Sequence, residues 1–193
     1  MIEPKIQFVS NTEKGQPIKV SIFGEVPYED SFRTMSSFAY NRDESDLDQI
    51  WLLEHPRVYT QGTACSMGAF LPSDIPIVKT DRGGQITYHG PGQIVMYPLL
   101  MLRRHQIGIK SMVSNLEQTM IDTLGELNIQ ARRRQDAPGV YVDGAKIGAL
   151  GLRIRKGTCY HGLSLNVDMD LEPFKNIDPV SYTHLTLPTI YSV

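Results

Sequence analysis

Residues 145–167 read A-K-I-G-A-L-G-L-R-I-R-K-G-T-C-Y-H-G-L-S-L-N-V, two β-type runs either side of Lys156-Gly157. Taken as a two-residue hairpin loop, Lys156-Gly157 fixes the register: Arg155 faces Thr158, Arg153 faces Tyr160, Gly151 faces Gly162 and Ala149 faces Ser164. One face of the pair then carries a cleared patch, Ala149, Gly151, Gly162 and Ser164. A slim chain can lie on such a floor, or another strand or helix can pack closely there. The opposite face carries Lys146, Gly148, Leu150, Leu152 and Ile154, with Val167, Leu165, Leu163, His161 and Cys159 across from them. Lys146 thus starts an otherwise apolar row. Burial there lowers a lysine's pKa and makes it a base near neutral pH; the alternative is that it snorkels to water. Just upstream, Val142-Asp143-Gly144-Ala145 centres on Asp-Gly, whose residues accept φ > 0, and predicts a second hairpin.

Further out, residues 81–100 read D-R-G-G-Q-I-T-Y-H-G-P-G-Q-I-V-M-Y-P-L-L. The first two thirds are loop chemistry, with glycines at 83, 84, 90 and 92 set among Arg82, Gln85, Thr87, Tyr88 and His89. Gln93–Tyr97 alternates as a short strand before Pro98. Apolar residues at Ile109, Met112, Val113, Leu116, Met120, Ile121, Leu124 and Leu127 predict an amphipathic helix covering a sheet. Phe32, Met35, Phe38 and Ala39 predict another over 30–40, ended by the charged turn N-R-D-E-S-D. Short strands are expected at 5–9, 18–23, 50–53, 58–60 and 75–80.

The chain has 193 residues, enough for one domain with a core of its own. Nineteen basic against 21 acidic residues give no argument for nucleic acid or an anionic membrane. No stretch is long and apolar enough for a membrane span, and the N-terminus has no signal-like apolar region. Cys65 and Cys159 lack Cys-x-x-Cys spacing and fit a reducing, cytoplasmic setting. Neither looks like a nucleophile. Cys159 lies about eight residues from Lys146 along the ladder, roughly 26 Å, and reads as a core thiol; nothing places Cys65 near a base. No metal-ligand spacing, Walker loop or dinucleotide fingerprint is present.

The segments R-G-G-Q-I-T-Y-H-G-P-G-Q-I-V-M-Y, D-A-P-G-V-Y-V-D-G-A-K-I-G-A-L-G-L-R-I-R and Y-H-G-L-S-L-N-V-D-M-D-L resemble the lipoyl(octanoyl) transferases, in that family's order, from about residue 18 to 179. The resemblance implies an α+β fold, a mostly antiparallel or mixed sheet with flanking helices like the catalytic domain of biotin and lipoate protein ligases. It implies transfer of octanoyl from octanoyl-acyl carrier protein to a lysine of apo-lipoyl domains, those of 2-oxoacid dehydrogenases and the glycine cleavage H protein, with no cofactor. Carried over by position, Arg82, Gly83, Gly84, Gln85, Ile86, Thr87, Tyr88 and His89 wall the acyl pocket. Ala149, Leu150, Gly151, Gly162, Leu163 and Ser164 complete it. Lys146 matches the lysine that activates a cysteine thiol, which takes the acyl group as a thioester.

The family cysteine follows an Ile-Asn-Pro-like triplet, here Ile177-Asp178-Pro179, and the next residue is Val180. Residues 180–193 contain no Asp, Glu, Lys or Arg and do not resemble the family. The expectation is one C-terminally truncated catalytic domain, 1–179, followed by a foreign tail, in a chain that lacks the nucleophile. A non-catalytic binder of acyl carrier or lipoyl domains is the alternative; an ATP-dependent lipoate ligase relative is a third, less fitting one. Arg103 and Arg104, and Arg132, Arg133 and Arg134, form two basic clusters, either of which could steer an acidic carrier protein to the site.

Overall fold

The computed structural model describes residues 2–12, 15–65, 73–135, 137–177 and 189–190; Val180 and most of the segment after it lie outside that set. Strand β1 (Ile6–Asn11) pairs antiparallel with β2 (Pro17–Glu25), and helix α1 (Tyr28–Asn41) crosses over to β3 (Asp48–Glu54), which runs parallel to β2. Then follow β4 (Val58–Gln61), β5 (Ile77–Lys79), β6 (Ile86–His89), β7 (Gln93–Leu99), α2 (Ile109–Glu126), β8 (Arg132–Arg133), β9 (Val140–Val142), β10 (Ala145–Arg155) and β11 (Thr158–Asn166). The large sheet has the order β1-β2-β3-β7-β11-β10-β9-β8, and a smaller one the order β5-β4-β6. This mixed, largely antiparallel α+β arrangement is the expected class. None of the described helices is long and apolar enough to cross a membrane.

The two helices take opposite faces of the large sheet. On one, Met35 and Ala39 of α1 pack with Trp51, Leu53, Val95, Tyr97, Leu99 and Tyr160. On the other, Met112, Leu116, Met120 and Leu124 of α2 pack with Val140, Val142, Cys159, Leu163 and Leu165. The i, i+4 spacing of the α2 stripe is what allows one helix face to bury so completely. Ile109 and Leu127, at the ends of the predicted stripe, stay exposed. The small sheet stands on the α1 side, where Tyr28 stacks on His89 at 5.8 Å and 12°.

The hairpin has the expected register, with Arg155 opposite Thr158, Gly151 opposite Gly162 and Ala149 opposite Ser164. Lys156 and Gly157 turn the chain at φ 49° and 79°, and Asp143 and Gly144 do the same before β10 at 49° and 87°. Four details differ from the sequence reading. A bulge between Lys146 and Gly148 breaks the alternation. Ile147 enters the α2 cluster, and Lys146 moves onto the face of Ala149, Gly151 and Ser164 instead of heading the Leu150–Leu152 row. His161 adopts a left-handed φ of 57°, which turns its ring away from Cys159 and onto the α1 side, stacked on Phe32 at 5.4 Å.

Third, β7 continues through Pro98 to Leu99. A proline inside a central strand removes a ladder donor. Here the β7–β11 ladder is interrupted opposite it, running from Asn166 to Leu163 and resuming where the Cys159 N–H donates to Leu100 O at 2.8 Å. Fourth, Ile86–His89 is a strand and not loop, as its β-branched and aromatic content favours.

Candidate active site

Between the β7–β11–β10 surface, the small sheet and the first turns of α2 lies a cavity of about 790 Å³. Arg82, Gly83, Gly84, Gln85, Ile86, Thr87 and His89 line it from one side, and Ala149, Leu150, Gly151, Gly162, Leu163 and Ser164 from the other, with Lys146 between them. Tyr88 is the exception and a correction. Alternation along β6 turns its ring into a separate cluster with Tyr59 and Ile177, edge-on to Phe174 at 5.4 Å. Ile86, at the start of that strand, borders both. Val180 lies outside the described residues.

The floor is cleared for reasons the chain itself supplies. A Cβ at Gly162 would lie 2.0 Å from Met96 O and 2.6 Å from Pro98 Cδ, so this glycine admits the neighbouring strand. A Cβ at Gly151 would come 3.0 Å from Gly83 O, because the glycine loop lies directly on β10, with the Gly83 N–H donating to Leu152 O at 3.0 Å. Arg82 is buried and pins the loop from the far side: its guanidinium donates to Thr60 O at 2.5 Å and Thr60 Oγ1 at 2.9 Å. The loop's root is tied as well. Asp81 accepts from His161 Nε2 at 2.8 Å and from the Tyr160 hydroxyl.

Several cavity residues are not singled out for the site in the sequence: Tyr28, Tyr97, Tyr141 and His161, and Ile109 and Val113 from α2. Their polar groups satisfy one another. His55 contacts Val26 O and the Tyr97 hydroxyl, each at 2.7 Å, and the Tyr28 hydroxyl faces His161 Nδ1 at 3.4 Å. Gln93 Nε2 donates to Asn166 Oδ1 at 3.0 Å. That leaves its carbonyl to accept from His89 Nδ1 at 2.6 Å, which fixes the His89 tautomer. Burial pushes the His55 pKa down to about 4 and that of His89 to about 3, so both rings are neutral at neutral pH. Burial lowers His161 too, against the opposing pull of Asp81. For Asp81 burial works upward, and the bonds from His161 and Tyr160 outweigh it to leave the carboxyl lowered.

Lys146 is 7% exposed and does not snorkel. Burial first, and the Arg134 charge second, bring its pKa down to about 8. A meaningful fraction of free amine at neutral pH follows, which an exposed lysine lacks. Its deep side borders a small chamber shared with Thr87, Gln93, Ser164 and Asn166. Cys159 is buried in the α2 core, and burial pushes its thiol up to about 12; it is an inert core thiol. Cys65 packs beside the Tyr59–Tyr88 cluster. The two cysteines form no disulfide. Among the described residues no group of three or more His, Cys, Asp or Glu side chains could hold a metal ion.

The basic clusters separate. Arg103 pairs with Glu44 at 2.6 Å and Arg104 with Asp48 at 3.2 Å, which ties the loop after β7 to the segment leading into β3. Arg134 lines the cavity.

Residues 27–183 match the family described as the lipoyl protein ligase A/B catalytic domain. The chain belongs to this family. It is 52% identical over 169 residues to an octanoyltransferase of Marinobacter nauticus, covering 87% of this chain and 80% of the relative. It is 54% identical over 165 residues to an octanoyltransferase of Pseudomonas entomophila, covering 85% and 77%. Among solved structures, a T. acidophilum protein assigned as a lipoate protein ligase, with bound lipoic acid, superposes with a TM-score of 0.69 at 16% identity, covering 90% of this chain and 77% of the other. A lipoate-protein ligase A bound with ATP gives 0.66 at 18%, covering 86% and 74%. These structural likenesses show the family's fold.

Proposed function

We propose that this family member is built for octanoyl transfer from octanoyl-acyl carrier protein to a lysine of apo-lipoyl domains, such as those of 2-oxoacid dehydrogenases and the glycine cleavage H protein, in the cytoplasm. The observation that carries this reading is the bulge before Gly148, which brings a buried amine onto the same face as the glycine floor and into the same cavity as the Arg82–Thr87 wall. The octanoyltransferase relatives at 52–54% identity support the acyl group.

The chemistry follows from the amine. Lys146 Nζ takes the proton of a cysteine thiol, and the thiolate attacks the thioester carbonyl of the acyl carrier. The tetrahedral intermediate collapses, a new C–S bond replaces the old one, and the carrier thiolate leaves with the proton from the Lys146 ammonium. The acceptor lysine's amine then attacks the enzyme thioester, an amide forms, and its surplus proton returns to the cysteine sulfur through Lys146. Substrate lies along Ala149, Gly151, Gly162 and Ser164, covered by Arg82, Gly83, Gly84, Gln85, Ile86, Thr87 and His89, with Leu150 and Leu163 at its margin.

The cysteine position is 180, where this chain has valine. Valine carries no ionisable hydrogen, so the chain with Val180 forms no acyl-enzyme. That residue favours a second reading, a binder of acyl carrier or lipoyl domains without turnover. Intact-mass measurement after mixing with octanoyl-acyl carrier protein separates the two. The Val180→Cys protein is expected to gain one octanoyl group, reversible by hydroxylamine, while the unchanged protein gains none. A Val180→Cys protein that stays unmodified while still binding the carrier favours the binder.

A further inference from the structure

Lys146 is held by groups that the cavity wall alone does not explain. Its Nζ lies 5.5 Å from the centroid of the Tyr141 ring, and the Arg134 guanidinium lies 5.3 Å from the same centroid. Two cations therefore share one aromatic ring, each attracted by its quadrupole while repelling the other. The ring cannot drift. Tyr141 is fully buried, and its hydroxyl donates to Ala137 O at 2.9 Å.

The segment before Tyr141 closes over the lysine. Gly139 has φ 137°, and a Cβ there would come 3.1 Å from Lys146 Cε and 2.7 Å from Gly148 O. Its N–H donates to Glu117 Oε1 at 2.9 Å, and the other carboxylate oxygen of Glu117 pairs with Arg133 Nε at 3.2 Å. Glu117 is a carboxylate on the otherwise apolar buried face of α2, 7% exposed. A carboxylate is costly to bury unless it is paired and hydrogen-bonded, and these two partners satisfy it.

We propose that Arg134, Tyr141 and Glu117 are positioning residues for Lys146: Glu117 seats the 137–139 segment on the lysine stem, and Tyr141 holds Arg134 at a set place beside the amine. The small chamber on the deep side of Lys146 is bordered from the other elements by Thr87 of β6, Gln93 of β7, Ser164 and Asn166 of β11, and Phe174. These chamber groups are uncharged, and the nearby His89 ring is neutral; the charged groups on the remaining sides are Arg82 across the cavity and Glu117 behind Gly139. Arg134, on the same ring as Lys146, supplies a neighbouring positive charge, and a like charge disfavours the ammonium form. Arg134 is exposed, so solvent and salt damp its effect.

The test reads the amine itself in the whole unchanged chain, by trace acetylation with acetic anhydride across pH and quantification of the Lys146 peptide. Arg134→Gln removes the charge at an exposed site while keeping a side chain of similar length. It is expected to raise the Lys146 midpoint by about half a pH unit, roughly threefold less free amine at neutral pH. Arg134→Lys keeps the wild-type midpoint, and high salt shrinks the difference between Arg134→Gln and wild type. Glu117→Ala raises the midpoint further as water reaches the stem, while Glu117→Gln retains an acceptor for Gly139 and stays near wild type. An unmoved midpoint in Arg134→Gln, or an equal rise in Arg134→Lys, overturns the proposal even where Glu117→Ala fails to fold. The proposal rests on the proposed function only for the task given to the amine. A wild-type Lys146 that titrates like a surface lysine defeats both readings, whereas an unmoved Arg134→Gln midpoint defeats this one alone.

Discussion

The β10–β11 pair has two faces that differ in kind. Toward α2 it is a continuous apolar surface of Leu163, Leu165, Cys159 and Ile147 beneath Met112, Leu116, Met120 and Leu124. Toward the cavity it carries Lys146, Ala149, Gly151, Gly162 and Ser164, ringed by Tyr28, His89, Tyr97 and His161. Burial of apolar area stabilises the first face and needs no directional contacts. The second face holds its polar groups through bonds between His55 and Tyr97, His89 and Gln93, and Asp81 and His161. Such a face is stable only while each donor meets an acceptor. The chain therefore sets a tolerant surface and an exacting one back to back on the same two strands, and the proposed chemistry sits on the exacting one.

That contrast can be broken by a single methyl group. Gly162→Ala on the cavity face places a Cβ 2.0 Å from the Met96 carbonyl, and backbone has nowhere to go. The expected loss is upward of about 4 kcal/mol, a fall in melting temperature on the order of 10 °C, read by calorimetry. Next in size is the acid response of the cavity face. His55 and His89 have folded-state pKa values of about 4 and about 3, below the unfolded value near 6.5. The stability this represents is fully present above pH ~6.5 and is lost as pH falls toward 4, because the unfolded chain binds protons that the fold refuses. For His55 the loss is on the order of 3 kcal/mol. Denaturant midpoints taken at stepped pH should fall steeply over that window, and a flat profile would contradict the buried, neutral assignment. The smallest effect belongs to the tolerant face. Gly148→Ala meets the Met120 sulfur at 2.4 Å, the far end of a flexible side chain, and is expected to cost only about 1 kcal/mol.

The same contrast decides how much of the molecule is legible in its sequence. On the α2 side, regular spacing from Met112 to Leu124 and strict alternation at Leu163 and Leu165 carry straight through to packing. The hairpin register is equally legible, because Lys156-Gly157 leaves one way to pair the strands. On the cavity side parity fails twice, at the bulge after Lys146 and at the left-handed His161. Neither has a sequence signal of its own, since a bulge inserts one residue without a distinctive composition. Simple alternation therefore puts Lys146 on the wrong face, and Cys159 and His161 on a shared one. Tyr88 falls among the wall residues when the glycine-rich run is read as loop, where facing is undefined. As a strand, Ile86–His89 presents alternate residues: Thr87 and His89 turn to the cavity, Tyr88 turns away, and Ile86 at the strand's start borders both. Pro98 marks a stop in sequence terms. It is tolerated inside β7 because Gly162 and the interrupted ladder opposite make room for it. Glu117 has no signal that singles it out, since a glutamate near the middle of an amphipathic helix ordinarily faces water.

Octanoyl transfer at this site requires Lys146 to be a buried, partly deprotonated amine that shares its cavity with an acyl chain. The most direct measurement is acetic anhydride labelling of Lys146 at neutral pH, with and without saturating octanoyl-pantetheine. The prediction is that Lys146 labels faster than the surface Lys110 or Lys156 once corrected for access, in keeping with a pKa of about 8, and that the ligand protects it about tenfold or more while those two lysines are unaffected. Labelling at the surface rate, untouched by the ligand, would contradict both the buried amine and its place beside the acyl chain.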